Sequence, residues 1–274
     1  MSSKICFMLL FMIILMLSLS LANSQRTQSN RKSKKQFQNR LTVDNTTDGN
    51  SFNNITESKC GKDSYKELDH MIARITSPTS RFPETIQELH IRCENRTHVL
   101  NKLEDLKNHC MDGMLKRIVS VMLYSIRRQR KGMCRKKPNK KMVELISAGK
   151  CINSGRPEAQ KCIDEAMNHV VGIKHATDDR MKIPFICCTF VKLKSCLISI
   201  GHKNKQCTEE HINLLVRRSE QVSNGPMNMA CGDYNEETDK CEKLEIPNRL
   251  KDEPIPKSFL MPLVDIFDSF NENK

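Results

Sequence analysis

The chain has 274 residues, 45 Lys and Arg against 32 Asp and Glu, a formal net charge of +13 and 13 cysteines. With no Trp, three Tyr and 5% aromatic residues, its core must be built from Leu, Ile, Val and Met. That composition suits packed helices and argues against a β-sandwich, whose strands favour aromatic and β-branched residues.

The first segment, MSSKICFMLLFMIILMLSLSLANS, sets one positive charge at Lys4 before an apolar run from Ile5 to Leu17 and ends on Ala22-Asn23-Ser24. This order predicts a secretory signal peptide over residues 1–24, cleaved after Ser24. A retained signal anchor is the alternative, since the run through Leu21 nearly reaches bilayer length. No further apolar run of membrane length is read along the chain, so no transmembrane segment is expected after cleavage. Cleavage removes Cys6 and leaves Cys60, Cys93, Cys110, Cys134, Cys151, Cys162, Cys187, Cys188, Cys196, Cys207, Cys231 and Cys241. An even set of cysteines in an oxidising compartment predicts six disulfides. Sequons at Asn45, Asn54 and Asn95 fit the same compartment and mark expected glycosylation sites.

Residues 25–59 are polar, basic, rich in Asn, Ser and Thr, and free of cysteine. They are expected to form a disordered, glycosylated arm. From 60 to 241 the apolar residues recur at steps of three and four. Leu68, Met71, Ile72 and Ile75 make one stripe. Val99, Leu103, Leu106 and Cys110 make a second, and Met114, Leu115, Ile118, Met122 and Ile126 a third. In RPEAQKCIDEAMNHVV, Pro157 stands at a helix start, and Ala159, Cys162, Ile163, Ala166, Met167 and Val170 share one face. Strict apolar alternation is scarce, so the fold class expected is all-α: a disulfide-stapled helical bundle behind the arm. Residues 242–274 read as a Pro-containing linker and a short amphipathic helix with Phe259, Leu263, Ile266, Phe267 and Phe270 on one side. Pro262 is tolerated in its first turn, and the helix is expected to dock on the domain.

The cysteines do not fit metal or catalytic chemistry. There is no C-x-x-C, no H-E-x-x-H and no Cys/His cluster at zinc spacing, and the eight histidines are scattered. A lipase-type double cysteine would be followed by a His-Asp pair, with the His taking a proton from water, but Val191 and Lys192 stand there. G-x-S-x-G is absent, and twelve paired cysteines leave no thiolate. No enzyme activity and no cofactor are expected. The stretch ICCTFVKLKSC, 186–196, reads instead as a multiple staple. In a helix Cys187 and Cys188 point about 100° apart, so each must reach a different element, and Cys196 reaches a third.

The spacing from Cys187 through Cys196, Cys207 and Cys231 to Cys241, with Gly232, Asp233 and Tyr234 after the penultimate cysteine, resembles the C-terminal half of a family of secreted, cysteine-rich helical arthropod proteins related to insect haemolymph glycoproteins. The resemblance implies a helical fold and secretion. That family has no assigned activity, so no functional residue carries over.

Residues 127–141, RRQRKGMCRKKPNKK, carry nine cations and no acid: Arg127, Arg128, Arg130, Lys131, Arg135, Lys136, Lys137, Lys140 and Lys141. The run follows a helix and surrounds Cys134, whose disulfide is expected to fix it to the domain. One reading is contact with an extracellular polyanion, a sulfated glycan or an anionic surface; a second is a solvated loop that keeps the chain soluble; a third is protease processing at Arg127-Arg128-Gln129-Arg130, a basic cleavage pattern expected to lie in ordered helix. Intracellular nucleic acid is excluded by secretion, and a monomer is expected. The competing function is carriage of a small hydrophobic ligand between helices, along stripes that include Met71, Met114, Met122 and Met167.

Overall fold

Caps and turn residues divide the apolar pattern into separate helices. In the computed structural model, which describes residues 60, 62–77, 80–111 and 113–271, every regular element is a helix. The signal peptide, the arm, Asn45 and Asn54 lie outside the described residues. In chain order the helices are α1 (Lys62–Thr76), α2 (Ile86–Cys110), α3 (Gly113–Met133), α4 (Lys140–Ser147), α5 (Gly149–Ser154), α6 (Arg156–Ile173), α7 (Asp179–Lys203), α8 (Glu209–Ala230), α9 (Lys240–Lys243) and α10 (Leu260–Asn271). Thr85 opens α2 with a capping box: its hydroxyl accepts from the Glu88 N–H at 3.2 Å, and the Glu88 carboxylate accepts from the Thr85 N–H at 3.2 Å. Thr208 caps α8 by the same logic, accepting from the His211 N–H at 3.3 Å. Pro157 occupies the first turn of α6, as its fixed φ favours.

The antiparallel pair α6 and α7 forms the centre of the bundle, with α8 and α9 against α7 and α10 against α6 and α1. Leu68, Ile72, Leu103, Met122, Val170, Ile186 and Leu193 are buried in one continuous core. In α3 the inward face is broader than the expected single stripe. Val119 and Leu123 join Met122 in the core because α3 packs against both α2 and α8. The chain after Cys241 enters the same core: Ile246, Phe259, Leu260, Leu263 and Ile266 are buried, and the Ser258 hydroxyl donates to Asp69 of α1. At Gly172 the backbone of Pro247 and Asn248 crosses α6 so closely that a Cβ there would lie 2.4 Å from the Asn248 carbonyl carbon. Only glycine leaves room for this strap.

All twelve described cysteines are paired: Cys60–Cys110, Cys93–Cys134, Cys151–Cys207, Cys162–Cys196, Cys187–Cys231 and Cys188–Cys241. One helix, α7, carries three of these bridges. Adjacent Cys187 and Cys188 diverge to the end of α8 and to α9, while Cys196 reaches α6. The bridges explain how a chain that is 28% charged holds a Met- and Leu-rich interior: each contributes about 2–4 kcal/mol by restricting the unfolded chain. The sequence reading passed over one apolar run. By length and composition α7 is apolar enough to cross a membrane, a property masked in the sequence by Lys192 and Lys194. In the fold, that apolarity faces α6 and α8.

Candidate functional site

The basic run rests on a second, smaller core. Phe82, Leu89, Met133, Met142 and Leu145 pack together where the start of α2, the end of α3 and α4 meet. The run is divided between two helix ends and their connection, with 127–130 in the ordered helix expected of them. Arg127, Arg128, Arg130 and Lys131 belong to the last turns of α3, Arg135, Lys136 and Lys137 to the connection, and Lys140 and Lys141 to the first turn of α4. The helix continues through the arginines because α3 buries Met133 at its end, and cations in a last turn are favoured by the helix dipole.

Four ties fix the connection. Cys134 is bridged to Cys93 of α2, with a Cα separation of 5.7 Å. Asn139 caps α4 by accepting from the Met142 N–H at 3.2 Å and donates its amide to the Gly132 carbonyl at 3.0 Å, so one side chain closes α3 and opens α4. The His90 ring lies 3.0 Å from the Arg135 carbonyl. Arg218 of α8 donates to the Lys141 carbonyl at 3.2 Å and meets the Met133 sulfur. Arg217 beside it is exposed.

The nine cations divide by their partners. Arg127 pairs with Glu104 at 2.7 Å, Arg130 donates to the Thr97 hydroxyl, and Lys140 lies 3.9 Å from Glu144. Arg128, Lys131, Arg135, Lys136, Lys137 and Lys141 are exposed and form no ion pair among the described residues. Glu104 is held below the usual carboxylate range, chiefly by the Lys107 hydrogen bond and also by Arg127. It therefore stays ionised and neutralises the α2 side of the face.

Beneath the face lie buried guanidinium groups. Arg92 is 9% exposed, with its Cζ 5.7 Å from the centre of the Phe82 ring. Burial pushes its pKa down, and the nearby charges of Arg96 and Arg156 push it further. The Arg96 stem is half-buried but its Nε is covered, and burial pushes its pKa down to about 10, which leaves it cationic at neutral pH. Arg156 donates to the Ser77 carbonyl at 3.0 Å, just past the end of α1, where carbonyl groups want donors. Arg218 is lowered by burial, with Glu144 opposing the shift.

Sequence reasoning missed Arg217, Arg218 and His90, which come from helices far along the chain and carry no local signal. Asn139 had one: an Asn after Pro138 and before an apolar step is a helix-start pattern. Asn95 is exposed on α2, as a glycan acceptor must be. Of the methionines at helical spacing, Met122 and Met167 are buried in the core and Met71 packs against the same cluster, while the Met114 side chain lies outside the described residues. A cleft of about 520 Å³, its open side included, lies instead between α7 and α8, where Leu197 and Ile198 face Ile212, Leu215 and Val216. Lys194 stands on its wall, held by Glu220 at 3.0 Å and Glu236 at 2.9 Å. Among the described residues no group of His, Cys, Asp and Glu has the arrangement of a metal site. No family model, curated protein or solved structure matches the chain.

Proposed function

We propose that this chain is a secreted, non-enzymatic binding protein that holds an anionic extracellular partner on the corner formed by α3, α4 and their connection. The observation behind the reading is that six exposed cations without ion pairs are held together by a disulfide, a shared cap and a buried side core. Like charges repel, and a surface needed only for solubility disperses or pairs them. Elsewhere several lysines are paired, Lys66 with Asp63, Lys102 with Glu67, Lys194 with Glu220 and Glu236, Lys243 with Asp239, and exposed lysines such as Lys150, Lys161 and Lys251 are dispersed along the chain and not clustered. Secretion is supported by six disulfides, a pattern typical of extracellular proteins, and by the leader read in the sequence. Replacing Arg128, Lys131, Arg135, Lys136, Lys137 and Lys141 by Gln is expected to lower the salt needed to elute the chain from heparin much further than six Lys or Arg changes elsewhere. Equal losses from both variants would show that retention follows net charge alone and would end the proposal.

A second reading, carriage of a small hydrophobic molecule, is favoured by the cleft between α7 and α8. Its apolar wall and its neutralised Lys194 suit an uncharged ligand. Native mass spectrometry of the protein from its own source tests this. A bound apolar molecule lost on Leu215→Lys supports carriage, and an empty chain contradicts it.

A further inference from the structure

The outer side of α3 carries a second kind of residue beside the cations. Val121 is 44% exposed and Tyr124 is 64% exposed. They lie three, four and three residues apart from each other, Arg128 and Lys131, so all four share one helical face. The neighbours of α3 confirm which way that face points. Arg127 and Arg130 reach α2 through Glu104 and Thr97, and Gln129 reaches α8, donating to the Arg218 carbonyl at 2.8 Å. The stripe 121, 124, 128, 131 lies between these two flanks and faces solvent. On α4, Val143 is 58% exposed one turn after Lys140, and on α2 Ile91 is 41% exposed beside His90, whose ring contacts the connection. Four of the six exposed large apolar side chains of the described residues thus stand on the three helices that build the basic corner.

A sulfated polysaccharide presents charge and hydroxyl groups, and aliphatic side chains such as Val121, Val143 and Ile91 add nothing to its recognition. A bilayer surface presents both anionic headgroups and, just beneath them, acyl chains. Interfacial helices meet it with Lys and Arg around a few apolar residues, and Tyr is suited to the headgroup level. We propose that this corner docks on an anionic lipid bilayer, with the cations at the headgroups and Val121 and Tyr124 entering the interface. The proposal rests on the anionic-partner reading and names its partner. The face is small and its apolar content low, so binding is peripheral and reversible, and it weakens as salt rises.

The experiment is co-sedimentation of the full chain with vesicles of phosphatidylcholine alone or with 30 mol% phosphatidylserine, beside heparin retention. Three variants are compared with the parent: V121S/Y124S, R128Q/K131Q/K136Q/K137Q, and four charge changes far from the corner. All changes are at exposed positions, and circular dichroism checks that helicity is kept. The expected result is binding to the anionic vesicles only, about tenfold weaker for V121S/Y124S with heparin retention unchanged, and weaker on both supports for the corner charge variant. If V121S/Y124S binds vesicles like the parent while the corner charge variant loses heparin, the partner is a soluble polyanion such as a sulfated glycan and the bilayer proposal falls. If corner and distant charge variants behave alike, the anionic-partner reading falls with it.

Discussion

The α6–α7 centre and the α3–α4 corner are both stapled, but the staples work on opposite compositions. In the centre, Cys187 and Cys188 are fully buried among Ile186, Phe190 and Leu193, and their bridges reinforce a surface that would associate anyway. At the corner, Cys134 is half-buried in a run of nine cations, and its bridge holds together charges that would separate. Apolar burial specifies the first region. In the second, a small core, one disulfide and one Asn cap hold a charged surface that the rest of the fold does not need.

Removing bridges separates the two roles. Closing a loop of 44 residues is worth about 4 kcal/mol of unfolded-state entropy, so Cys187→Ala with Cys231→Ala is expected to lower global stability by roughly that amount in denaturant melts. Cys93→Ala with Cys134→Ala opens a loop of 41 residues, so a similar global loss of about 4 kcal/mol is expected, and what sets it apart is faster native-state hydrogen exchange confined to 132–142 with helicity retained. If exchange speeds up equally in α6 and α7, the two regions are one cooperative unit.

Met142→Ala empties the middle of the small core. Met142 is fully buried, and a loss of about 2–4 kcal/mol in local opening is expected, read as faster exchange across α4 and the end of α3 while α6 and α7 stay protected.

Periodicity made the first region legible. Leu68, Met71 and Ile72 of α1, the stripe of α2, the face from Cys162 to Val170 of α6 and the divergence of Cys187 and Cys188 follow from helical spacing alone, and the structure places them as read. The corner was legible only as a cluster of charge. Its division between two helix ends depends on burial of Met133 and Met142, its neutralised members depend on Glu104 and Thr97 of α2, and its support by Arg218 depends on α8. Those are contacts between residues distant in sequence, and no local pattern carries them. Register was legible only in part: α3 needs a wider buried face than its expected stripe because two helices pack on it.

Asn139→Ala sharpens the comparison at smaller scale. It removes an N-cap, worth about 1 kcal/mol, together with the bond to the Gly132 carbonyl, and is expected to loosen the connection without lowering the stability of the centre measurably. The smallest effect belongs to His169 of α6, which lies beside the Pro247 carbonyl under the strap. Burial holds its pKa below the ordinary histidine value, against the opposing pull of Pro247 and Glu165. The neutral ring therefore stabilises the fold fully above pH about 6.5, and this contribution falls as pH drops through that value toward the lower folded one. His169→Gln is expected to flatten that part of the stability profile; an unchanged profile would show that the ring is solvated.

The central claim is that the charged corner is a placed binding face, and hydrogen exchange of the full chain with and without phosphatidylserine-containing vesicles tests it most directly. Added protection is expected in the end of α3, the 134–139 connection and the start of α4, with α6, α7 and the α8 segment 209–216 unchanged. Protection spread evenly over the surface, or centred on any other element, would contradict the claim.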